Sequence, residues 1–200
     1  MNKKRLKTIG IIIIVIVSAG LIVKYMLDQK YLHQFDYLTE PKISTKPNQN
    51  MLVADVKGVP EEVSGPAIGR LYKVVYKYKD PSQPPVLRGR WQFNNKDNIA
   101  NGHYGIPIKA GIKVDQDGVR SEIWEYGLVA EILHIGSYSN EKPTIDRLTK
   151  FISDNGYHIV GDHEEEYIKG PGMLFKGNPA NYRTIIRYRI TKGAGVGLEN

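Results

Sequence analysis

The stretch IGRLYKVV at residues 68–75 recurs 77 positions later as IDRLTKFI, at residues 145–152. Both copies follow the pattern I-x-R-L-x-K-x-[V/I], and in both the apolar residues fall on one stripe of a helix. Ser64 provides a start signal for the first helix, and Gly156 ends the second. The sequence therefore predicts two equivalent helices in two copies of one unit.

Strand-like runs flank the two helices in the same order, one before each helix and two after it. The runs of the first copy are residues 51–56, 86–93 and 111–114, and those of the second are 128–135, 163–168 and 182–190. Apolar residues alternate along these runs, so one face of each sheet can be buried against its helix. We predict an α+β fold of tandem βαββ repeats with antiparallel sheets, joined about a pseudo-two-fold axis with a cleft at the seam.

An uncharged, apolar segment at residues 8–23 lies between Lys7 and Lys24. Continued to Leu27, with the Lys24 ammonium reaching the headgroups, it forms a helix of about 30 Å, long enough to span the hydrocarbon core. A cleaved signal peptide is the alternative, because small residues occur at positions 17–19. Since the apolar run continues past them, we favour an uncleaved transmembrane anchor that contacts the bilayer through residues 8–27.

Four basic residues precede this span, and only Lys24 and Lys30 closely follow it. The difference predicts a single-pass protein of the cell membrane, with a cytoplasmic amino terminus and the carboxyl-terminal domain outside. The predicted organisation is a cytoplasmic tip and transmembrane helix at 1–27, a stalk and linker at 28–50, a ligand-binding domain at 51–192 and a flexible tail at 193–200.

Composition excludes several classes of site. The net charge of the chain is +7, and most of it lies near the amino terminus. Residues 1–50 contain eight Lys or Arg and three acids, whereas residues 51–200 contain twenty Lys or Arg and eighteen acids. The folded part has no concentrated basic face, so we predict no nucleic-acid partner.

The chain has no cysteine, which excludes disulfides and thiolate sites. The spacing of His158 and His163 does not suit a metal site, and no nucleotide-binding motif occurs, so we predict no metal and no cofactor.

Short motifs in the second copy strengthen this picture. They are Gly136-Ser137-Tyr138 before the helix and Glu165-x-Tyr167-Ile168 in the strand after it, followed by a closing strand that ends at Ile190. In this order, and together with the repeat, they resemble the GyrI-like small-molecule-binding family over about residues 51–191. That family includes the DNA gyrase inhibitor and the effector-binding domains of AraC- and MerR-type multidrug regulators.

The resemblance implies a central cleft that takes apolar, often cationic molecules between aromatic walls and a buried acid. It also implies two possible variations, since some members hydrolyse reactive small molecules with cleft Glu and Tyr residues, and some are membrane-anchored. One difference stands out. The last strand of the regulators commonly carries a Glu that aligns with Ile185, so that acid is absent from this chain.

Glu165 and Tyr167 are two residues apart, so both side chains leave the same face of a strand. A carboxylate beside a phenol can hold a cation, or exchange a proton if burial raises the Glu pKa. The alternative is a solvated acidic strand, because residues 164–166 are three consecutive glutamates. Trp91, the first-repeat equivalent of Tyr167, is predicted either to face it across the pseudo-axis as an aromatic wall or to pack in the core.

Glu131 interrupts an apolar stripe, so it either lies in a binding cavity or pairs with an arginine of the last strand, Arg187 or Arg189. Three aromatic residues are weaker candidates for the rim of the site: Tyr104, in a predicted turn at 102–105, and Trp124 and Tyr126, in the connector between the repeats.

We therefore predict a membrane-anchored domain that binds a small apolar or cationic molecule. One alternative is a small-molecule hydrolase that uses Glu165 or Glu131 as base and Tyr167 as proton donor. The other is a protein-interaction module whose partner the sequence does not identify. Binding without turnover is the favoured hypothesis.

Overall fold

The structure is a computed structural model that describes residues 3–81, 84–92, 100–171 and 177–193. The chain divides into two units, Met1–Tyr37 and Leu38–Asn200. The first unit consists mainly of helix α1, Lys3–His33. Within the described residues, α1 is the one helix whose length and apolar composition would allow it to cross a membrane.

The second unit contains ten described strands and two further α-helices. In chain order these are β1 (Lys42–Lys46), β2 (Gln49–Gly58), α2 (Pro60–Tyr78), β3 (Arg88–Trp91), β4 (Ala100–Pro107), β5 (Asp115–Gln116), β6 (Val119–Trp124), β7 (Gly127–Ile135), α3 (Lys142–Asp154), β8 (Tyr157–Ile159), β9 (His163–Lys169) and β10 (Arg183–Lys192).

The described strands form one antiparallel sheet in the order β1-β7-β10-β9-β3-β4-β2-β6-β5, and β8 pairs with β10. Elements β2, α2, β3 and β4 are the first βαββ repeat, and β7, α3, β9 and β10 are the second. The central order β7-β10-β9-β3-β4-β2 is symmetric, so the repeats meet edge to edge where β9 pairs with β3. The predicted fold class is confirmed.

The register of β9 and β3 locates the pseudo-two-fold axis. Gly89 lies directly opposite Glu165, and Trp91 lies opposite His163. Gly89 and Glu165 are separated by the same number of residues as Trp91 and Tyr167, so each pair occupies equivalent positions in the two repeats. Trp91 and Tyr167 therefore lie on the same face of the sheet, on opposite sides of the axis.

Both long helices of this unit pack on that same face, and the core forms in two halves. In the first half Leu71 and Val75 of α2 pack with strands β2 and β4. In the second half Leu148 and Ile152 of α3 pack with β7 and β10. The predicted helical stripes are confirmed for these residues, but Tyr76, which the same helical spacing would add to the stripe of α2, is exposed.

Two element boundaries differ from the sequence prediction. Helix α2 begins at Pro60 rather than Ser64, because proline fits the first helical position, where no backbone N–H is needed. Residues 42–46, predicted as linker, form β1 and pair with the outer edge of β7. Polar residues are common on such edge strands, so the polar composition of residues 42–46 did not indicate a strand. Of the predicted tail at 193–200, all but Gly193 lies outside the described residues.

The last strand of the first repeat is also not the predicted one. Residues 111–114 form no strand, and the strand is β4, which includes the predicted turn at 102–105. Gly102 and Gly105 suggested a turn, but each allows a close approach within the sheet. A Cβ on Gly102 would overlap the Arg90 carbonyl oxygen, and one on Gly105 would lie 2.8 Å from the Trp124 ring.

Gly102→Ala is expected to destabilise the protein by about 2 kcal/mol or more, because the overlapping atom belongs to the backbone. Gly69→Ala is the matched control, since Gly69 lies within helix α2 with no atom near the added methyl. It is expected to stabilise by about 0.5–1 kcal/mol. Urea unfolding of the full-length protein measures both. Equal stabilities for the two variants would contradict the placement of β4.

Candidate ligand-binding site

Alternation along β9 divides its side chains between the two faces of the sheet. His163, Glu165 and Tyr167 lie on the side of the helices, whereas Glu164 and Glu166 lie on the other side. All three glutamates are buried, at 3, 8 and 9% exposure, so the alternative of a solvated acidic strand is wrong. The two sides are called here the helix side and the far side.

Aromatic rings form a continuous cluster on the helix side. The centroid distances are 5.0 Å from Trp91 to Tyr104, 6.3 Å from Tyr104 to Tyr167, 5.7 Å from Tyr167 to Tyr138 and 5.4 Å from Tyr138 to Tyr182. Trp91 and Tyr167 are partly exposed, and Tyr138 is 39% exposed. These five residues are the aromatic cluster, and part of it is open to solvent.

Two glycines leave space that rings of this cluster occupy. A Cβ on Gly89 would lie 2.6 Å from the Trp91 ring, so the indole folds back over β3 toward the pseudo-axis. A Cβ on Gly170 would lie 2.6 Å from the Tyr138 hydroxyl oxygen. Glycine is required at both positions because there is no space for a side chain, and not because the backbone angle is unusual.

Glu165 is the carboxylate at the centre of the cluster. Its Oε1 lies 3.0 Å from His163 Nε2, and His163 Nδ1 lies 2.8 Å from the Tyr188 hydroxyl. The Tyr167 hydroxyl interacts with both Glu165 and the Trp91 indole. Burial, and then the nearby Glu165 charge, raise the pKa of Tyr167 well above its ordinary value, so this phenol stays protonated.

Glu141, immediately before helix α3, is a second buried acid on the helix side. It is 6% exposed, and its carboxyl interacts with the buried Thr184 hydroxyl. Burial and, next, the charge of Glu165 raise the pKa of Glu141 to about 8. No sequence pattern pointed to this residue, because an acid at the start of a helix is ordinarily explained by the helix dipole. His163 was likewise considered only as a metal ligand.

The far side holds a buried network of ion pairs centred on Arg187. Its Nε donates to Glu131 Oε1 at 2.7 Å, its Nη2 donates to Glu166 Oε2 at 2.8 Å, and it also pairs with Glu164. Glu164 further accepts from Arg90 Nε at 2.8 Å and from the Tyr126 hydroxyl at 2.9 Å. The three carboxylates on this side are therefore neutralised within the protein.

The pKa values reflect this neutralisation. Burial alone would raise the pKa of Glu166, but Arg88 and Arg187 outweigh it and hold the value at about 2. Burial of Glu164 is likewise outweighed, by Arg187, Arg90 and Arg88, and its pKa is lowered. Both groups are charged at neutral pH.

Two of the predicted rim residues belong to this far side. The Arg90 guanidinium carbon lies 4.1 Å from the Trp124 ring centroid and 5.1 Å from that of Tyr126. These rings therefore stack on an arginine of the protein itself. A polar cavity of about 240 Å³ lies beside them, lined by Arg90, Val160, Gly161, Asp162, Glu164, Arg187 and Arg189.

The structure thus separates the candidate residues into two groups. It brings Trp91, Tyr104, Glu165 and Tyr167 together on the helix side. Trp124, Tyr126 and Glu131 lie on the far side and cannot reach the same ligand. Of the two readings of Glu131, the pairing with Arg187 is the one observed.

Ile185, where the regulators' glutamate was aligned, pairs with Leu133 and Glu166 and faces the far side. An acid at that position would not reach the aromatic cluster. The acids on the helix side come from β9 and from the residue before α3.

Arg187→Met is expected to destabilise the protein by about 3–5 kcal/mol, because it removes the buried counter-charge that three buried carboxylates share. Arg189→Met is the control, since that side chain is 38% exposed and its nearest carboxylate oxygen is 3.9 Å away. Its effect should stay below about 1 kcal/mol. Urea unfolding at neutral pH measures both, and a small loss for Arg187→Met would contradict the network.

The pH dependence gives a second measurement on the same variants. The pKa of Glu166 is about 2 in the folded protein against an ordinary 4.5, so its contribution to stability is complete above pH 4.5 and is lost as the pH falls toward 2. This acid-induced loss should be smaller in Arg187→Met than in the parent protein.

Comparison with known proteins identifies the fold. The model of the GyrI-like small molecule binding domain family matches residues 39–190. No curated protein matches the chain. A hydrolase from Listeria innocua has a similar structure, with 22% identity, a TM-score of 0.65, and coverage of 76% of this chain and 92% of that one. The EcmrR C-terminal domain has 14% identity, a TM-score of 0.62, and coverage of 76% and 98%.

EcmrR in a cryo-EM structure of its DNA complex is also similar, with 15% identity, a TM-score of 0.60, and coverage of 96% of this chain and 78% of that one. This neighbour stands against the prediction that the chain has no nucleic-acid partner, because a protein with the same fold is seen with DNA. At these identities the similarities show the fold alone. The family match covers most of the chain and includes both repeats, and the chain therefore belongs to the GyrI-like small-molecule-binding domain family.

Proposed function

We propose that the chain is a membrane-tethered domain that binds a small molecule with a cationic group and an apolar, aromatic body. The ligand occupies the aromatic cluster on the helix side, with its cationic group toward Glu165. The observation that carries this proposal is the difference between Glu165 and its two neighbours in β9.

Glu164 and Glu166 are each paired with arginines on the far side. Glu165 is buried to a similar degree, but its contacts within the described residues are with His163, at ion-pair distance, and with the Tyr167 hydroxyl, and not with an arginine. A buried carboxylate without a full counter-charge is unfavourable. A cationic ligand would supply that charge, which makes Glu165 the acid expected of this family.

The rings around Glu165 suit the rest of such a ligand. Trp91, Tyr138 and Tyr167 present partly exposed faces within one connected cluster. A cation over such faces gains about 0.5–2 kcal/mol of binding free energy. Removal of an apolar body from water adds a favourable hydrophobic contribution. The roles of Trp91, Tyr104, Glu165 and Tyr167 as ligand-binding residues are part of this proposal.

Helix α1 is proposed as the tether. It is long and apolar enough to cross a bilayer. The four basic residues before the span favour a cytoplasmic amino terminus and a binding domain outside.

Hydrolysis is the second candidate function, and the contacts of His163 favour it. Its two ring nitrogens connect Glu165 to Tyr188, so a proton taken by Glu165 could be shared along this chain. In this alternative Glu165 is the base and Tyr167 the proton donor. The similar structure of a hydrolase supports the fold and not the activity.

Isothermal titration with 1-naphthylmethylamine and the uncharged 1-naphthylmethanol tests the binding proposal. The amine should bind about tenfold or more tightly than the alcohol, because only the amine carries the charge. Glu165→Gln should remove most of that preference and leave the alcohol affinity almost unchanged. Trp91→Ala should weaken both ligands.

Glu125→Gln is the control, since Glu125 is exposed and lies near the far-side arginines. It should bind both compounds as the parent does. Equal affinities for amine and alcohol in the parent would contradict the proposal. If instead the parent turns over an electrophilic substrate and Glu165→Gln does not, the hydrolase is the correct function.

The tether is tested by alkaline carbonate extraction and by a reporter fused after Asn200. The full-length protein should stay with the membrane, and the reporter should be active only outside the cytoplasm. Ile14→Arg combined with Ile16→Arg should release the protein, because each charge in the span costs about 2.5–3.5 kcal/mol. Extraction of the parent chain, or a cytoplasmic reporter, would refute the tether or its orientation.

A further inference from the structure

The carboxyl-terminal end of helix α2 and the turn beside it carry an excess of positive charge. Residues 73–79 contain three lysines and residues 109–113 contain two, with no acid in either segment. The segments are adjacent, because the Lys109 N–H donates to the Tyr78 carbonyl at 3.2 Å. All five lysines are exposed, and together they are called here the lysine patch: Lys73, Lys77, Lys79, Lys109 and Lys113.

The overall charge of the domain conceals this patch. The twenty basic and eighteen acidic residues of 51–200 almost cancel in number. Among the residues that the structure describes, however, no lysine of the patch forms an ion pair with a carboxylate, and the nearest acids along the chain are Asp80 and Asp115. The expectation from composition that the folded part has no concentrated basic surface is therefore wrong at this end of α2.

Helix α3, the equivalent helix of the second repeat, neutralises the corresponding charge. Lys150 Nζ lies 2.7 Å from Asp154 Oδ2, one helical turn away. The 77-residue offset aligns Lys150 with Lys73 and Asp154 with Lys77. Where the second repeat has an attractive pair, the first has two lysines that repel each other. The fold does not require this arrangement, since α3 packs on the sheet without it.

An exposed tyrosine lies among the lysines. Tyr76 is 63% exposed, and Lys79 Nζ lies 5.6 Å from its ring centroid. The equivalent residue of α3 is Ser153. Lys77 Nζ lies 5.3 Å from the ring centroid of Tyr78, which is half-buried. Tyrosine is enriched at membrane–water interfaces, where its ring lies at headgroup level, and lysine extends its ammonium group to the same level.

We propose that the lysine patch and Tyr76 dock the domain onto the surface of a bilayer that contains anionic lipids. The ammonium groups contact the headgroup phosphates, and the Tyr76 ring enters the interfacial region. Charge complementarity supports this occupant, because five cations without paired carboxylates face an anionic surface. The inference goes beyond ligand binding, and it rests on the proposed tether only for holding the domain near the bilayer.

The tether explains why so small a patch suffices. Each lysine near an anionic surface changes the binding equilibrium by about fivefold. Docking of a domain that is already held at the bilayer is an intramolecular step, so its effective concentration is high. A nucleic acid would use the same charge, but the tether keeps a bilayer, and not a nucleic acid, constantly within reach of the patch.

A fluorescent probe in the turn at 109–113 tests the docking in the full-length protein reconstituted into vesicles. Ala110→Cys places the one thiol of the chain between Lys109 and Lys113, where an NBD group is attached. With about 30% phosphatidylglycerol in phosphatidylcholine, NBD emission should shift to shorter wavelength and be quenched by nitroxide-labelled lipid. Phosphatidylcholine alone should give neither effect, and roughly 0.5 M NaCl should reverse both. The same probe at Ser153→Cys, on α3, should stay in water throughout.

Two charge variants in the Ala110→Cys background identify the residues responsible. Lys77→Asp gives Lys73 the same partner that Lys150 has in α3, and it should lower the ratio of docked to undocked protein about tenfold or more. Lys142→Asp is the matched control, because it makes the same change of charge at a side chain of α3 that is 82% exposed. It should leave the probe signal unchanged.

Four results would overturn the inference: an NBD signal that is the same with and without phosphatidylglycerol, one that resists salt, one that also occurs at Ser153→Cys, or one that survives Lys77→Asp. Salt-sensitive binding of a DNA duplex to the protein in neutral vesicles, without a response to phosphatidylglycerol, would also overturn it and assign the patch to nucleic acid. Flotation with neutral vesicles measures the tether separately. A chain that floats with an unresponsive probe refutes the docking alone, and a chain that does not float refutes the tether.

Discussion

The antiparallel pairing of β3 with β9 is the constraint on which both faces of the sheet depend. It joins the repeats into one sheet and sets Gly89 against Glu165 at the pseudo-two-fold axis. Because side chains alternate along a strand, this register sends Trp91 and Tyr167 to the helix side and the arginines of β3 to the far side. A slip of one residue would exchange the two sets and leave neither with its partners.

The division of charge follows from that register. Three consecutive glutamates in β9 are all buried, but they meet different surroundings. Glu164 and Glu166 meet Arg90, Arg88 and Arg187 and become structural. Glu165 contacts a histidine and a tyrosine, and in the proposed function it attracts the cation. One strand thus stabilises the sheet with one face and, in the proposal, contributes to a binding site with the other.

Much of the fold could be predicted from the sequence, because the duplicated helix recurs at an offset of 77 residues and strand-like runs flank both copies in the same order. An offset of 76 residues paired Trp91 with Tyr167, and the spacing of Glu165 and Tyr167 placed them on one face. Strand β4 was missed because its glycines accommodate neighbouring atoms instead of forming a turn, and β1 because an edge strand can be polar.

Other features of the site depend on contacts between distant parts of the chain. Trp124 and Tyr126 looked like rim residues, but the arginines that they stack on come from β3 and β10. Glu141 is buried, and its pKa is raised by burial and then by the charge of Glu165, which lies 24 positions away in the sequence. Neither proximity leaves a local pattern, so neither could be found without the three-dimensional arrangement.

A crystal structure of the protein with 1-naphthylmethylamine tests the central claim most directly. The account predicts the naphthyl ring against Trp91, Tyr138 and Tyr167, with the ammonium nitrogen within hydrogen-bonding distance of a carboxylate oxygen of Glu165. Density for the compound in the cavity lined by Arg90, Arg187 and Arg189, with the aromatic cluster unoccupied, would contradict it.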